Sequence, residues 1–184
     1  MKFTPLMIKG AYLIDLFAHK DQRGFFFRTY DEAFFRDYGL VTYWVQESHS
    51  FSSTKGTLRG LHFQKQPCAE TKLIRVAQGG IFMVLVDLRK DSASFGKYIT
   101  AVLSADKPQL LYAPQGLALG MYTLTDNCIL LYKMDTEYVP ASQRVIRWND
   151  PDLNIQWPLE GAPVISDKDA AAPSFKDYIK ELGT

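Results

Sequence analysis

The chain has few cysteines: Cys68 and Cys128 are far apart, and neither belongs to a CxxC pair. A disulfide framework of the secreted kind is therefore not expected. Charge of one sign is not in excess, with 21 basic against 20 acidic residues and no polybasic run. Nucleic acid is accordingly not an expected partner. No apolar run is long enough to span a bilayer, and the N-terminus "MKFTPLMIKG" has no apolar core of the signal-peptide type. A soluble, cytoplasmic protein with no membrane partner is expected. Histidine is scarce too. His19, His49 and His62 are widely spaced with no HxH pair, so a metal centre, which would need all of them, is not expected. There is no internal repeat and no low-complexity linker.

At 184 residues the chain suits one domain, and 47% hydrophobic residues suffice for a sizeable core. Aromatics make up 14%, with clusters in "GFFFRTY" and "AFFRDYG" that could line a pocket or a subunit interface, although most aromatics belong to cores. Short strand-like segments dominate: "AYLIDL", "TYWVQES", "TLRGLHFQ", "TKLIRVAQ", "GIFMVLVDL", "KYITAVLS", "QLLYAP", "GMYTLT", "CILLYKMD" and "VIRWN". Clusters of Gly, Pro, Asn, Asp or Ser close each one, which points to an all-β barrel or double-sheet jelly roll. "GIFMVLVDL" is apolar at both alternating sets of positions and should be covered on both faces. Two peripheral helices are expected. One is "DEAFFRDYG", with Asp31 as N-cap and Gly39 as stop. The other is "PSFKDYIKEL", with Ser174 as cap, Asp177 three residues on, and Phe175, Tyr178, Ile179 and Leu182 at helical spacing.

The stretch "TLRGLHFQ" concentrates polar groups in what otherwise reads as a core strand. A lone histidine in a strand is more often structural than catalytic, but Arg59, Gln64 and Lys72 stand within or beside strands of the same kind. Buried cations are costly without a partner. Several in one sheet imply a polar cavity that takes an anion, and an arginine fork suits a diphosphate. Arg59 and His62 are three residues apart, so a regular strand would point them to opposite faces. Gly60 lies between them, and a bulge there would bring both inward.

These segments, together with "DQRGFFFRTY", "VQESHSFSSTKGTLRGLHFQ", "LYAPQGLALG", "LLYKMDTEYVP", "IRWNDPDLNIQWP" and "ISDKD", resemble the dTDP-4-dehydrorhamnose 3,5-epimerase family through nearly the whole chain. The resemblance implies a cupin-like jelly-roll homodimer with short peripheral helices. It also implies one domain over residues 1–184, an N-terminal segment exchanged with the dimer partner and a C-terminal helix at 173–183. The implied substrate is a nucleotide-diphosphate 4-keto-6-deoxy sugar, whose keto group acidifies the hydrogens on C3 and C5. A base removes one proton to give an enolate, an acid returns a proton on the opposite face, and no cofactor or metal takes part. In the family's pattern His62 is the base, Asp169 its orienting carboxylate, Lys72 the cation at the enolate oxygen and Tyr132 the acid. Arg59 and Arg23 would hold the diphosphate, with Arg23 reaching in from the other subunit. Gln46 would lie near the nucleotide, and Tyr138 and Phe26 would enclose the base or sugar. Each catalytic residue also has a plain reading: Asp169 as a surface turn, Tyr132 as core, Lys72 as a strand-end residue reaching for solvent.

Three positions depart from the family's pattern. Leu119 stands where a histidine is common, Arg28 where a glutamate is common, and Ser48 where an asparagine is common. Thymine N3 donates a hydrogen bond and suits glutamate, whereas cytosine N3 accepts one and suits arginine. If position 28 contacts the base, Arg28 favours CDP over dTDP. Leu119 suits a sugar lacking a hydroxyl. Together these exchanges suggest a CDP-3,6-dideoxy-4-hexulose 5-epimerase as a variant of the same chemistry. Two other classes stand beside the epimerase: a degenerate sugar-nucleotide-binding module without activity, and a metal-dependent cupin oxygenase.

Overall fold

A computed structural model describes residues 1–183. In chain order the elements are β1 (Lys2–Pro5), β2 (Tyr12–Asp15), β3 (His19–Asp21), β4 (Gly24–Phe26), α1 (Glu32–Asp37), β5 (Gln46–Ser52), β6 (Leu58–Gln64), β7 (Lys72–Gln78) and β8 (Gly80–Asp87). They continue with β9 (Tyr98–Ser104), β10 (Gln109–Ala113), β11 (Leu117–Thr123), β12 (Cys128–Met134), β13 (Gln143–Val145), α2 (Asp167–Ala170) and α3 (Phe175–Gly183). The strands form a six-stranded sheet in the order β1-β2-β10-β7-β12-β5 and a five-stranded sheet in the order β13-β6-β11-β8-β9. Pairing within both sheets is antiparallel. This is the double-sheet jelly roll that the density of turn signals predicted, of the cupin-like kind that the family resemblance implied, and a separate β3-β4 hairpin stands beside it.

The main core lies between the sheets, where Ile74 and Val76 of β7 meet Ile81, Met83 and Leu85 of β8 and Leu117 of β11. Strand β8 is apolar at both sets of positions because it is covered twice. Its Val84 and Val86 face the other way, into a second cluster with Phe63, Leu153, Ile155 and the α3 residues Phe175 and Tyr178. A third cluster packs α1, through Phe35, on Phe3, Ile14 and Leu110 of the six-stranded sheet. The two sheets thus meet back to back, and each carries a helix on its outer face.

Both expected helices form as their caps dictate. Asp31 accepts the Ala33 N–H, and Gly39, at φ +66°, ends α1 by donating to the Arg36 carbonyl. At α3 the Asp177 N–H donates to Ser174 Oγ at 3.2 Å while the Ser174 N–H donates to Asp177 Oδ2 at 3.2 Å, a reciprocal capping box. Strand limits shift in places. The segment "TYWVQES" becomes strand only from Gln46, and "VIRWN" gives way to β13 at Gln143–Val145. Ile146 still exchanges two hydrogen bonds with Leu61, but the next amide, of Arg147, turns to the Pro173 carbonyl, and the ladder ends. The hairpin and α2 are additions to the expected elements. The hairpin turn is held by Asp21, which accepts from both the backbone and the guanidinium of Arg23.

Candidate active site

The irregularity expected at Gly60 is present, and it builds the site. Opposite β6, the register on β11 runs from Leu119↔His62 to Met121↔Arg59, so that Gly60 and Leu61 together face the single residue Gly120. This is a bulge, and it turns Arg59 and His62 to the same side. Gly60 has φ +117°, and a Cβ there would lie 2.6 Å from the Leu119 carbonyl oxygen, so no other residue fits without moving β11. The bulge also frees the Gly60 N–H, which donates to Asp169 Oδ2 at 3.1 Å.

Asp169 is buried, with only 3% of its surface exposed, on the short helix α2. Ser166 caps that helix by accepting the Asp169 N–H. With Oδ2 held by Gly60, Oδ1 meets His62 Nε2 at 2.7 Å. Burial pushes the Asp169 carboxyl up, but the hydrogen bond and charge of His62, the Gly60 N–H and Lys168 outweigh it and hold the group below its ordinary range. An ionised Asp169 fixes the proton on Nε2 and leaves the Nδ1 lone pair as the basic nitrogen. The ring is one third exposed, open on its free side.

That side opens on two adjoining cavities between the sheets. One, of about 100 Å³, is lined by Arg59, His62, Lys72 and Tyr132 over an apolar floor that includes Ile74, Met83 and Leu119. The other, of about 190 Å³, shares His62, Lys72 and Tyr132 and adds Gln46, Ser48, Glu70, Tyr138 and Gln143. His62 comes from the five-stranded sheet, whereas Lys72 on β7 and Tyr132 on β12 come from the six-stranded one, where Tyr132 pairs with Ile74 and Ser48. A group held between them meets a base from one sheet and a phenol and an ammonium from the other. Among the described residues the Tyr132 hydroxyl has no hydrogen-bond partner, and Lys72 is paired with Glu70 at 2.8 Å. Arg59 reaches the Phe51 carbonyl and Ser52 Oγ only at 3.3 and 3.4 Å, which leaves most of its donor fork free.

The expected residues therefore divide into two groups. His62, Asp169, Lys72, Tyr132, Arg59, Gln46, Ser48, Leu119 and Tyr138 converge, with Leu119 directly across from His62 and Tyr138 at the rim donating to Gln143. Arg23, Phe26 and Arg28 do not line either cavity of this chain. Arg23 and Phe26 are exposed on the hairpin, and Arg28 pairs with Asp31 at 2.6 Å. The plain readings of two residues are corrected: Asp169 is buried rather than a surface turn, and Lys72 is largely enclosed rather than extended to solvent. Sequence reasoning missed Glu70, although its position two residues before Lys72 is the spacing that shares a face of an extended chain. Among the described residues no three His, Cys, Asp or Glu side chains cluster as metal ligands would.

Comparison with known proteins accords with this geometry. The sequence model of a family described as dTDP-4-dehydrorhamnose 3,5-epimerase matches residues 5–177. A dTDP-4-dehydrorhamnose 3,5-epimerase of Pseudomonas aeruginosa is 40% identical over 178 residues, covering 96% of this chain and 97% of the relative. One of Salmonella typhimurium is 44% identical over 154 residues, covering 83% and 84%. The solved dTDP-6-deoxy-D-glucose-3,5-epimerase of Legionella pneumophila, in complex with dTDP-4-keto-L-rhamnose, superimposes with a TM-score of 0.93 at 34% identity, covering 98% of this chain and 96% of that one.

Proposed function

Because the chain belongs to the dTDP-4-dehydrorhamnose 3,5-epimerase family, we propose that its cavity inverts the carbons flanking the keto group of a dTDP-linked 4-keto-6-deoxyhexose, with His62 as base and Tyr132 as acid. The protein is an isomerase of nucleotide-linked deoxysugars. The observation that carries the assignment of roles is the pairing of a histidine from one sheet, oriented by a buried carboxylate, with a phenol from the opposite sheet across one cavity. Inversion needs that arrangement, since the proton must leave one face of the sugar and return to the other.

The steps follow from the side chains. His62 Nδ1 takes the proton from the carbon beside the keto group, and Asp169 stabilises the imidazolium that forms. The electron pair moves to the keto oxygen, where the Lys72 ammonium offsets the developing charge. Tyr132 gives a proton to the other face. Arg59, with its free fork, takes the diphosphate, while Gln46, Ser48 and Tyr138 border the nucleotide. Arg23, Phe26 and Arg28 act in the site of a second subunit. This reading is supported by the exposure of Arg23 and Phe26 on the hairpin and of Arg28 just after it, none of them lining their own cavity, and it makes the working form a homodimer.

The cytidine reading of Arg28 has nothing further in its favour: the guanidinium is engaged by Asp31, and the solved relative holds a dTDP sugar. The test is incubation with the dTDP- and CDP-linked 4-keto-6-deoxyhexoses, with the product's ring configuration read by NMR after borohydride reduction. Conversion of the dTDP sugar to the epimer is expected. An unchanged dTDP sugar beside a converted CDP sugar would reverse the assignment of the base, and no conversion of either would remove the epimerase reading.

A further inference from the structure

We propose that Glu70 is a positioning residue for Lys72: it fixes the ammonium at the seam between the two cavities, where the enolate oxygen forms. The inference rests on the role given to Lys72 above.

Lysine is poorly suited to a fixed electrostatic role by itself. Its ammonium rides on a flexible four-carbon stem, is strongly hydrated in water, and follows whatever anion is nearest. A site built for a diphosphate brings such an anion in with every substrate. Unless something else holds it, Lys72 would be drawn toward phosphate and away from the keto oxygen. Glu70 supplies that hold. Its Oε1 lies 2.8 Å from Lys72 Nζ, and the two side chains are only 11% and 14% exposed. A pair so enclosed is screened far less than the exposed Arg36–Glu32 pair on α1, at 65% and 60%.

The carboxylate is the fixed partner of the two. The backbone on both sides of Glu70 is tied down, because the Ala69 carbonyl accepts from Thr136 Oγ1 at 3.1 Å and the Thr71 N–H donates to Asp135 Oδ1 at 2.6 Å. Gln64, itself buried, donates to the Cys68 carbonyl at 3.0 Å and lies 3.4 Å from Glu70 Oε2. Glu70 lines the larger cavity, and Lys72 lines both. The carboxylate thus engages the ammonium of a lysine that lines the space shared with His62 and Tyr132, and its remaining N–H donors are available to a group bound there. Around Lys72 the remaining groups are His62 and Arg59 from β6 and Tyr132 from β12, none of them an anionic partner in the neutral-phenol state. Asp135, which follows Met134, the cross-strand partner of Lys72, is occupied by Thr71, Thr136 and Gln115. Among the described residues Glu70 is the ion-pair partner of Lys72.

The chemistry gives this arrangement a signature. Glu70 is a negative charge beside a cavity that binds a diphosphate, so removing it does not weaken substrate binding. It weakens only the placement of the ammonium against the enolate, which exists only along the reaction coordinate. Glu70→Gln is therefore expected to lower kcat on the order of tenfold, part of the ~10²-fold that loss of a whole oxyanion donor costs, with KM unchanged or lower. Glu70→Asp keeps the charge but draws the ammonium back by one methylene, and should fall between the two.

The deciding experiment is a double-mutant cycle with the full chain and the dTDP 4-keto sugar. Glu70→Gln is measured in the natural background and in a Lys72→Met background, alongside the melting temperature of each variant. The expected result is a drop in kcat without a rise in KM in the first background and no further drop in the second. The inference is overturned if Glu70→Gln keeps full kcat, if it raises KM, or if it costs the same in both backgrounds, since general damage to the fold does not depend on Lys72. The Glu70→Asp variant carries the same cycle if the glutamine variant does not fold. A natural enzyme that turns over no 4-keto sugar sinks the reading of the whole site instead, and so the two failures are distinct.

Discussion

At the scale of single residues, the site depends on how Asp169 divides its two oxygens. One accepts from Gly60 and the other from His62, so the carboxylate locks the backbone bulge and the imidazole tautomer together. Asp169→Asn keeps the size and can keep the Gly60 hydrogen bond through its carbonyl oxygen. Its NH₂ then faces His62 Nε2 as a donor, which forces the ring proton onto Nδ1 and removes the lone pair from the side facing substrate. The expected result is a fall in kcat on the order of 10²-fold or more, with a folded protein by circular dichroism and a protonated Nδ1 in the ¹⁵N spectrum of His62. Unchanged kcat would show that the tautomer does not matter. The other residues of the site were readable to different degrees. His62, Lys72 and Arg59 stood out because polar groups in an otherwise apolar strand need a reason. Asp169 is buried through a tertiary contact between residues 60 and 169 that no local pattern encodes, and only the family motif singled it out. Leu119 stood out as a departure, yet its place directly opposite His62 follows from the β6-β11 register, which sequence alone does not give.

At the scale of elements, β6 shows how a local rule and its exception combine. Period-two alternation placed Arg59 and His62 on opposite faces, and the glycine between them signalled the bulge that reverses this. Both long helices were legible from their caps, because an Asp or Ser before an amphipathic run is a local signal. The turn α2 was not, since four residues carry too little periodicity, and neither was the hairpin β3-β4, which is short and exposed. Helix α3 covers the outer face of the five-stranded sheet, and its Glu181 is gripped by Arg144 at 2.8 Å and Lys65 at 2.8 Å. The hydrogen bonds of Arg144 and then Lys65 hold its carboxyl at about 2, below the ordinary 4.5, against a small opposing effect of burial. The unfolded chain thus takes up this proton more readily than the folded one. The grip contributes fully above pH ~4.5 and is lost as pH falls toward ~2. Exposed pairs of this kind contribute modestly, so Glu181→Gln should lower the melting temperature near neutral pH by about 1–3 °C. Its melting temperature should also fall less steeply than that of the natural protein across the acidic window. Parallel pH profiles for the two proteins would show that α3 is held by its apolar face alone.

At the scale of the whole molecule, the two sheets do more than enclose a core. The five-stranded sheet carries the proposed base, which the carboxylate of α2 orients, the six-stranded sheet carries the proposed acid and cation, and the gap between them is the cavity. Overall architecture was the most legible feature, since it follows from many short strands closed by turn residues and needs no exact boundary. The assignment of strands to sheets was not, because it depends on long-range pairings such as β6 with β11 and β7 with β12. That division of labour makes proton removal and inversion separable. The measurement that tests it most directly is deuterium incorporation by NMR, with the dTDP 4-keto-6-deoxyhexose in D₂O. The natural protein should give deuterium at an inverted carbon beside the keto group. Tyr132→Phe should give deuterium with retained configuration, because His62 still removes the proton and, once its N–H has exchanged with D₂O, returns a deuteron only to the same face. His62→Ala should give none above background. Deuterium incorporation by His62→Ala at the rate of the natural protein would contradict the account.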